Sequence, residues 1–481
     1  ISTSGIREKN TTALTLGDHE LNSVEMNYFF MDAVNNFYSS YGSYAAMFGL
    51  DATKPLNEQV VDEASGTTWA DDFMNTAKES AASVYAMADA AKAAGFTLPE
   101  ADQQNLDTQL STLDAYAAMS GYANADQYLQ AMYGHGASKE SYEAYCENQA
   151  LAAAYYNHYA ESLTFADADL QAKEQENPNA YASYSFNTYY LAANRFLTGG
   201  TTDAEGKTTY SDAETAASVA AAEEAAKALT GADITDAAAL DAAIAALEIN
   251  KDTEAFSTYN ENTLYKSLTE AYQQWLSDSS RKAGDVAYFP SVSGETTSGY
   301  HVVMFQNRNE NEMQLKNVRH ILLTPSHTHA EGEEHAEGET YSAQELADAK
   351  AAAEAVLKEW TEGGATEELF AELANTKSAD GDGTTGGLYE NVYPGQMVHA
   401  FEDWCFAEGR KAGDTGIVET EYGYHVMYFV GDSDMTYRDF QIESDLRNAE
   451  MDAWYTEIVG SITRTEGDTK YVRTDLVLSA A

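Results

Sequence analysis

One block of sequence occurs twice. The run Trp275-Leu276-Ser277-Asp278-Ser279-Ser280-Arg281-Lys282-Ala283-Gly284-Asp285 is paralleled by Trp404-Cys405-Phe406-Ala407-Glu408-Gly409-Arg410-Lys411-Ala412-Gly413-Asp414. Downstream of each block, Gly299-Tyr300-His301-Val302-Val303-Met304-Phe305 is paralleled by Gly423-Tyr424-His425-Val426-Met427-Tyr428-Phe429. Upstream, a loop and an Ala-rich helix beginning at Tyr210-Ser211 match those beginning at Tyr341-Ser342. Similar blocks recurring in the same order mark one supersecondary unit used more than once. Residues 181–309 and 316–431 are therefore expected to be two copies of one small fold, each closed by a β-rich run.

The flanks read differently. A chain of 481 residues is too long for one core. Residues 1–180 read as helical: Val24, Tyr28, Met31, Val34, Tyr38 and Tyr41 fall at helical spacing, and Thr68 caps a helix that Gly95 stops. Ser138 caps another helix through Tyr142, Tyr145, Tyr155, Tyr159 and Leu163, and Pro178 breaks the segment after Asp167. The many Tyr and Met side chains are expected mainly to pack helix on helix. Any surplus would offer unfolded chains an adaptable apolar groove. After the second copy, Ile442, Leu446, Ala449, Trp454 and Ile458 mark an amphipathic helix, and Val472 to Leu478 reads as a short strand. Residues 434–481 are too few to bury their own apolar face and are expected to dock on the N-terminal helices.

Charge excludes whole classes of partner. With 27 Lys+Arg against 78 Asp+Glu, the net charge is −51. Nucleic acid and anionic membrane surfaces both require basic patches and would be repelled. Only two cysteines occur, Cys146 and Cys405, far apart in the chain, so no disulfide framework is implied. No run of 18 or more apolar residues is present. The start at Ile1 rather than Met fits a trimmed N-terminus, a cut expected to have removed an export signal or an anchor.

The two copies differ where chemistry would sit. Aligning Asn187 with Asn317 places Tyr190 at the position of His320, and aligning the Trp blocks places Leu268 and Tyr272 at Met397 and Phe401. The Ser378-Ala379-Asp380 segment and the Gly386-Gly387-Leu388 turn have no clear partner in the first copy, where only His301 is retained. The first copy is therefore expected to be inactive. Taken singly, a histidine in an apolar strand is usually a satisfied core group, and Met397 and Phe401 stand at ordinary core spacing for a helix over Gln396 to Asp403.

Five separated signatures in the second copy occur in one order: Asn317-Val318-Arg319-His320-Ile321-Leu322-Leu323, Gly386-Gly387-Leu388, Gly395-Gln396-Met397 running on to Asp403, Arg410 to Asp414, and Thr420 to Phe429. Together they resemble a parvulin-type peptidyl-prolyl isomerase domain, over about a quarter of the chain. The resemblance implies that His320 and His425 lie side by side at the sheet centre, hydrogen-bonded to each other and supported by Thr420. It implies that Asp380 lies beside the substrate carbonyl, with Leu388, Met397 and Phe401 as apolar walls for the proline ring. One departure stands out: Gly-Gly-Asp-Leu-Gly is common in parvulins, whereas Gly386-Gly387-Leu388-Tyr389 lacks the acid and ends in Tyr.

Turning an X–Pro bond means crossing a barrier of about 18–20 kcal/mol set by amide resonance, without any covalent step. A dry pocket and polar groups that favour the twisted amide suffice, so no metal or cofactor is called for. Phospho-directed parvulins place basic residues in the loop after the first strand, but Thr324 to Glu337 has no Lys or Arg and a phosphate would meet carboxylates, so the resemblance does not imply phosphoserine-proline recognition. Its His327, His329 and His335 lie among glutamates and offer donors to a metal such as zinc, but their spacing matches no closed site, and a polar insertion is expected. Cys405 sits near His399 in sequence but at an apolar helix position, and is not expected to act as a nucleophile.

The whole layout resembles the SurA and PrsA type of exported chaperone-isomerases. That resemblance implies an α+β protein: a helical chaperone domain completed by a C-terminal helix, and two tandem parvulin-like domains, each a small antiparallel sheet with surrounding helices. It further implies an extracytoplasmic foldase acting on unfolded exported polypeptides, attached to a membrane, if at all, only through a segment missing from this chain. Two alternatives are a non-catalytic holdase that keeps both copies as scaffold, and a metal-scavenging surface protein built on the His/Glu loop.

Overall fold

The computed structural model describes residues 5–328 and 338–478. The fold is α+β and divides into two compact units, one built from residues up to Phe165 together with those from Leu446 onward, the other from Ala166 to Asp445.

In the first unit, three long helices carry the core: Ser23–Tyr41, Trp69–Ala93 and Lys139–Ser162. Each starts where a side chain can satisfy free backbone N–H groups. Asn22 with Glu25, Thr68 with Asp71 and Ser138 with Ser141 form reciprocal caps. Part of the packing is made by tyrosine rings. The buried Tyr28 ring lies 5.0, 5.4 and 5.2 Å from those of Tyr133, Tyr142 and Tyr145, and its hydroxyl meets Ser141 Oγ at 2.7 Å. The C-terminal residues complete this unit, with Trp454 stacked on Tyr159 at 3.9 Å.

Three features depart from the sequence reading. A hairpin, Thr12–Leu16 with His19–Asn22, interrupts the helical N-terminal region and pairs with Arg464–Glu466. Val472 to Leu478 forms turns rather than a strand; Val472 and Leu476 are held in the core as anchors on an irregular segment. The boundaries also move. Helix Asp167–Glu176 and the turn Pro178–Tyr181 belong to the second unit, where Arg438 reaches Glu174 at 2.6 Å and Pro178 O at 2.8 Å, and Tyr181 donates to Asp445 at 3.1 Å.

The second unit holds two modules of one topology. The first comprises β1 (Ser183–Ala192), α1 (Asp212–Ala228), α2 (Ala237–Ala245), β2 (Thr258–Leu264), α3 (Glu270–Ser277), β3 (Val286–Ser293) and β4 (Thr296–Asn309). The second comprises β5 (Gln314–Leu323), α4 (Ala343–Glu362), α5 (Glu367–Lys377), β6 (Leu388–Val392), α6 (His399–Cys405), β7 (Thr415–Thr420) and β8 (Gly423–Thr436). Both sheets are antiparallel, ordered β2-β1-β4-β3 and β6-β5-β8-β7. Helices cover both faces, so the central strands send apolar side chains to either side. In the second module Ile321, Val426 and Tyr428 pack on α4 and α5, whereas Val318, Met427 and Phe429 pack against α6.

The repeated Trp block is architectural. In each copy the Lys-Ala-Gly-Asp turn is tied to the last strand by matching bonds: Gly284 N–H to Phe305 O at 2.9 Å and Gly413 N–H to Phe429 O at 2.8 Å, with Phe305 and Phe429 N–H returned to Asp285 and Asp414 O. Arg281 and Arg410 cover the Trp275 and Trp404 rings.

Strand register corrects one alignment. His301 faces Tyr190 across β4 and β1, as His425 faces Leu322 across β8 and β5; Val303 faces Thr188, as Met427 faces His320. The counterpart of His320 is therefore Thr188, not Tyr190. A slip of two residues leaves a strand's inward and outward faces unchanged, so hydropathy alone could not expose it.

Candidate active site

His320 and His425 sit on adjacent central strands, on the face covered by α6. His320 opposes Met427 and His425 opposes Leu322, so the imidazoles are diagonal neighbours across the β5–β8 pair. Their Nδ1 atoms are 3.1 Å apart, and both residues are buried. Phe401 on α6 presses against both rings nearly edge-on, with centroids 5.3 and 5.5 Å away.

Two loops complete the arrangement. The Ser378-Ala379-Asp380 segment runs beside β5: Leu322 N–H donates to Ser378 Oγ at 3.0 Å and Ala379 N–H to Leu322 O at 2.8 Å. This brings Asp380 Oδ2 to 2.9 Å from His320 Nε2. Gly387 is clipped to the same strand by a 3.0 Å bond from His320 N–H to its carbonyl. Its φ is +67°, and a Cβ there would lie 2.2 Å from His320 O, so only glycine fits. At the far end, Thr420 Oγ1 lies 2.7 Å from His425 Nε2 and accepts from Tyr422 N–H at 3.2 Å.

These contacts fix the protons if each group is used once. Asp380, as a carboxylate, only accepts, so His320 carries its proton on Nε2 and accepts at Nδ1. His425 then donates from Nδ1 and accepts at Nε2 from the Thr420 hydroxyl. The result is a one-way chain in which both imidazoles are neutral. Burial drives the pKa of His320 below its ordinary value, with Asp380 opposing. Burial, reinforced by His320, lowers that of His425 to about 4. Burial also resists ionisation of Asp380, but the Tyr389 hydroxyl and His320 outweigh it and hold the carboxyl below the usual range.

Above this pair opens a cavity of 290 Å³, lined by His320, Asp380, Met397, Phe401 and His425 of the expected set, together with Leu322, Tyr389, Gln396, Val398 and Tyr422. Two expectations change. Leu388 does not line the cavity; successive residues on β6 point to opposite faces, and Tyr389 takes the inward place. Met397 precedes α6, which begins at His399, so it enters the cavity from a bend rather than from a helical face shared with Phe401. Tyr389 was missed although the sequence carried its signal: it is the fourth residue of the Gly-Gly turn, where the common parvulin pattern has Leu. Cys405 is fully buried, and burial raises its thiol pKa to about 12, so no thiolate forms there. His327 lies 3.3 Å from Glu345 Oε2 and stacks on Tyr341 at 4.2 Å; His329 and His335 lie outside the described residues.

Residues 300–431 match the family model of the PPIC-type PPIASE domain. The second module is a parvulin-type domain. The chain is similar to the foldase protein PrsA of Exiguobacterium sibiricum, 31% identical over 97 residues, which cover 20% of this chain and 30% of that protein. It is also similar to foldase protein PrsA 1 of Listeria innocua, 41% identical over 64 residues, 13% of this chain and 22% of that protein. The matched stretches thus span less than a third of these curated relatives. Among solved structures, PrsA from Bacillus subtilis aligns over 85% of this chain and 91% of its own, at 14% identity and a TM-score of 0.30. His320, Asp380, Thr420 and His425 all fall within the span matched by the parvulin family.

Proposed function

We propose that residues 316–431 catalyse cis–trans isomerisation of X–Pro bonds in unfolded exported polypeptides outside the cytoplasmic membrane, that the helical unit holds the client, and that the first module is inactive. The observation that carries the reading is the neutral histidine pair flooring an open apolar cavity. The planar amide places partial negative charge on its carbonyl oxygen, and water stabilises that charge. Seating the proline among Met397, Phe401, Leu322 and Val398 strips the water, and the ionised Asp380 makes charge on a neighbouring carbonyl costlier still. Both effects raise the planar form relative to the twisted one, so the barrier falls without a nucleophile.

Client holding is supported by apolar side chains left exposed in the first unit, among them Tyr44 at 65%, Met47 at 80% and Met119 at 82%. Among the described residues no helix is long and apolar enough to cross a membrane. A protease-free assay of an unphosphorylated Ala-Pro peptide tests the catalytic claim. Wild type is expected to accelerate isomerisation and Met397→Ala to slow it; equal background rates for both would favour the non-catalytic holdase.

A further inference from the structure

We propose that Tyr389 is a positioning residue for the histidine pair, acting through Asp380; the inference rests on the isomerase reading above. Its hydroxyl donates to Asp380 Oδ2 at 2.7 Å, the same oxygen that accepts from His320 Nε2 at 2.9 Å. Its ring lies 5.1 Å from that of His320, and it lines the proline-sized cavity where the common family pattern would put an aliphatic side chain. One side chain thus does two things: it walls the cavity and fixes the terminal acceptor of the proton chain.

The direction of the chain depends on that acceptor. Asp380 is partly exposed, its side chain at 39%, and sits on a loop rich in glycine, so the His320 contact alone leaves it free to swing away. A second donor from β6 closes the angle. With Asp380 in place and ionised, His320 must keep its proton on Nε2, and His425 must keep its own on Nδ1. Without it, His320 is free to take either tautomer, and the 3.1 Å contact between the Nδ1 atoms can present two protons or none. The groups facing Asp380 are His320 from β5, with His425 behind it on β8, and Tyr389 from β6. Burial and Asp380 together push the Tyr389 hydroxyl pKa up to about 12, so it remains a donor at neutral pH.

The test is Tyr389→Phe in the full chain, which keeps the ring and removes the hydroxyl. With an unphosphorylated Ala-Pro peptide, kcat/KM at pH 7 is expected to fall on the order of three- to tenfold, chiefly in kcat, since the lost hydrogen bond is to a charged group. Losing a donor raises the Asp380 pKa and so weakens its hold on the His320 proton. In the Asp380→Asn background the same substitution is expected to change the rate by less than about twofold. An unchanged rate, or a full loss in the Asp380→Asn background, would overturn the proposal. Should wild type itself prove inactive, the isomerase reading falls, and positioning is then read directly from ¹⁵N spectra of the histidine side chains. A single Nε2–H tautomer of His320 that becomes mixed in Tyr389→Phe supports it; the same spectrum in both proteins refutes it.

Discussion

The two modules share everything that builds the sheet and almost nothing that would do chemistry. Strand order, the β-bulge in the last strand, the Lys-Ala-Gly-Asp turn and its return bonds are common to both. So is the Ser-Glu cap of the long helix, whose glutamate also binds a loop N–H, Gly200 in one module and Thr328 in the other. At the site they part. Thr188 stands for His320, so His301 has no imidazole partner; instead Tyr190 and Tyr272 place their rings 5.0 and 5.6 Å from it. Leu268 and Tyr272 are buried in a core with Phe186 and Val303, whereas Met397 borders open space. The scaffold therefore persists without the histidine pair, and the residues that reveal the repeat are structural.

The strongest way to break this contrast is to remove the two retained histidines separately. His425→Ala leaves the buried His320 Nδ1 without its partner, a cost of about 1–3 kcal/mol, and is expected to lower kcat/KM by about a hundredfold if that loss falls on the transition state. His301→Ala is expected to leave the rate within about twofold, since it has no partner in a chain. A peptide assay on both variants decides the point.

Cavity walls sharpen the contrast next. Met397→Ala is expected to cut kcat/KM by about tenfold, as apolar contact with the proline is lost, while denaturant melts show little change. Leu268→Ala should do the reverse, costing about 2–5 kcal/mol of stability as a buried Leu truncation with activity retained in the surviving folded protein.

Acid separates the modules by degree. His425 has a folded pKa near 4 against 6.5 unfolded, so the unfolded chain takes up the proton first. The stability it confers is complete above pH 6.5 and is lost as pH falls toward 4. Isomerase activity follows the folded pKa instead, and is expected to be flat from about pH 8 down to about pH 5 and to fall by half near pH 4. His301 is also lowered by burial, so His301→Ala is expected to soften the acid destabilisation, measured by urea titration at several pH values, without moving the activity limb. The smallest effect is expected from Thr188→His, which restores an imidazole to the first module but supplies no counterpart of Asp380. In a His425→Ala background it is expected to recover no activity.

Much of the second unit was legible in the sequence because the repeat and the Gly-rich turns constrain backbone, which tolerates little variation. The pairing of His320 with His425 followed from two strand-like runs and a family likeness. What escaped lies where local pattern is silent. Thr188 was hidden by a two-residue slip that preserves facing, and Tyr389 by the step of one residue that reverses it. The sheet joining Thr12–Leu16 to Arg464–Glu466 spans nearly the whole chain, and three-residue strands carry no periodicity of their own.

The central claim is that one module turns prolyl bonds and the other does not, and exchange NMR of an unphosphorylated Ala-Pro peptide with catalytic amounts of full-length chain tests it most directly. Uncatalysed exchange takes about 10–100 s at 25 °C. Wild type is expected to be faster, and a His320→Ala/His425→Ala double variant to return to the uncatalysed rate. A double variant as fast as wild type would move the activity elsewhere in the chain, and a wild type no faster than buffer would leave no isomerase at all.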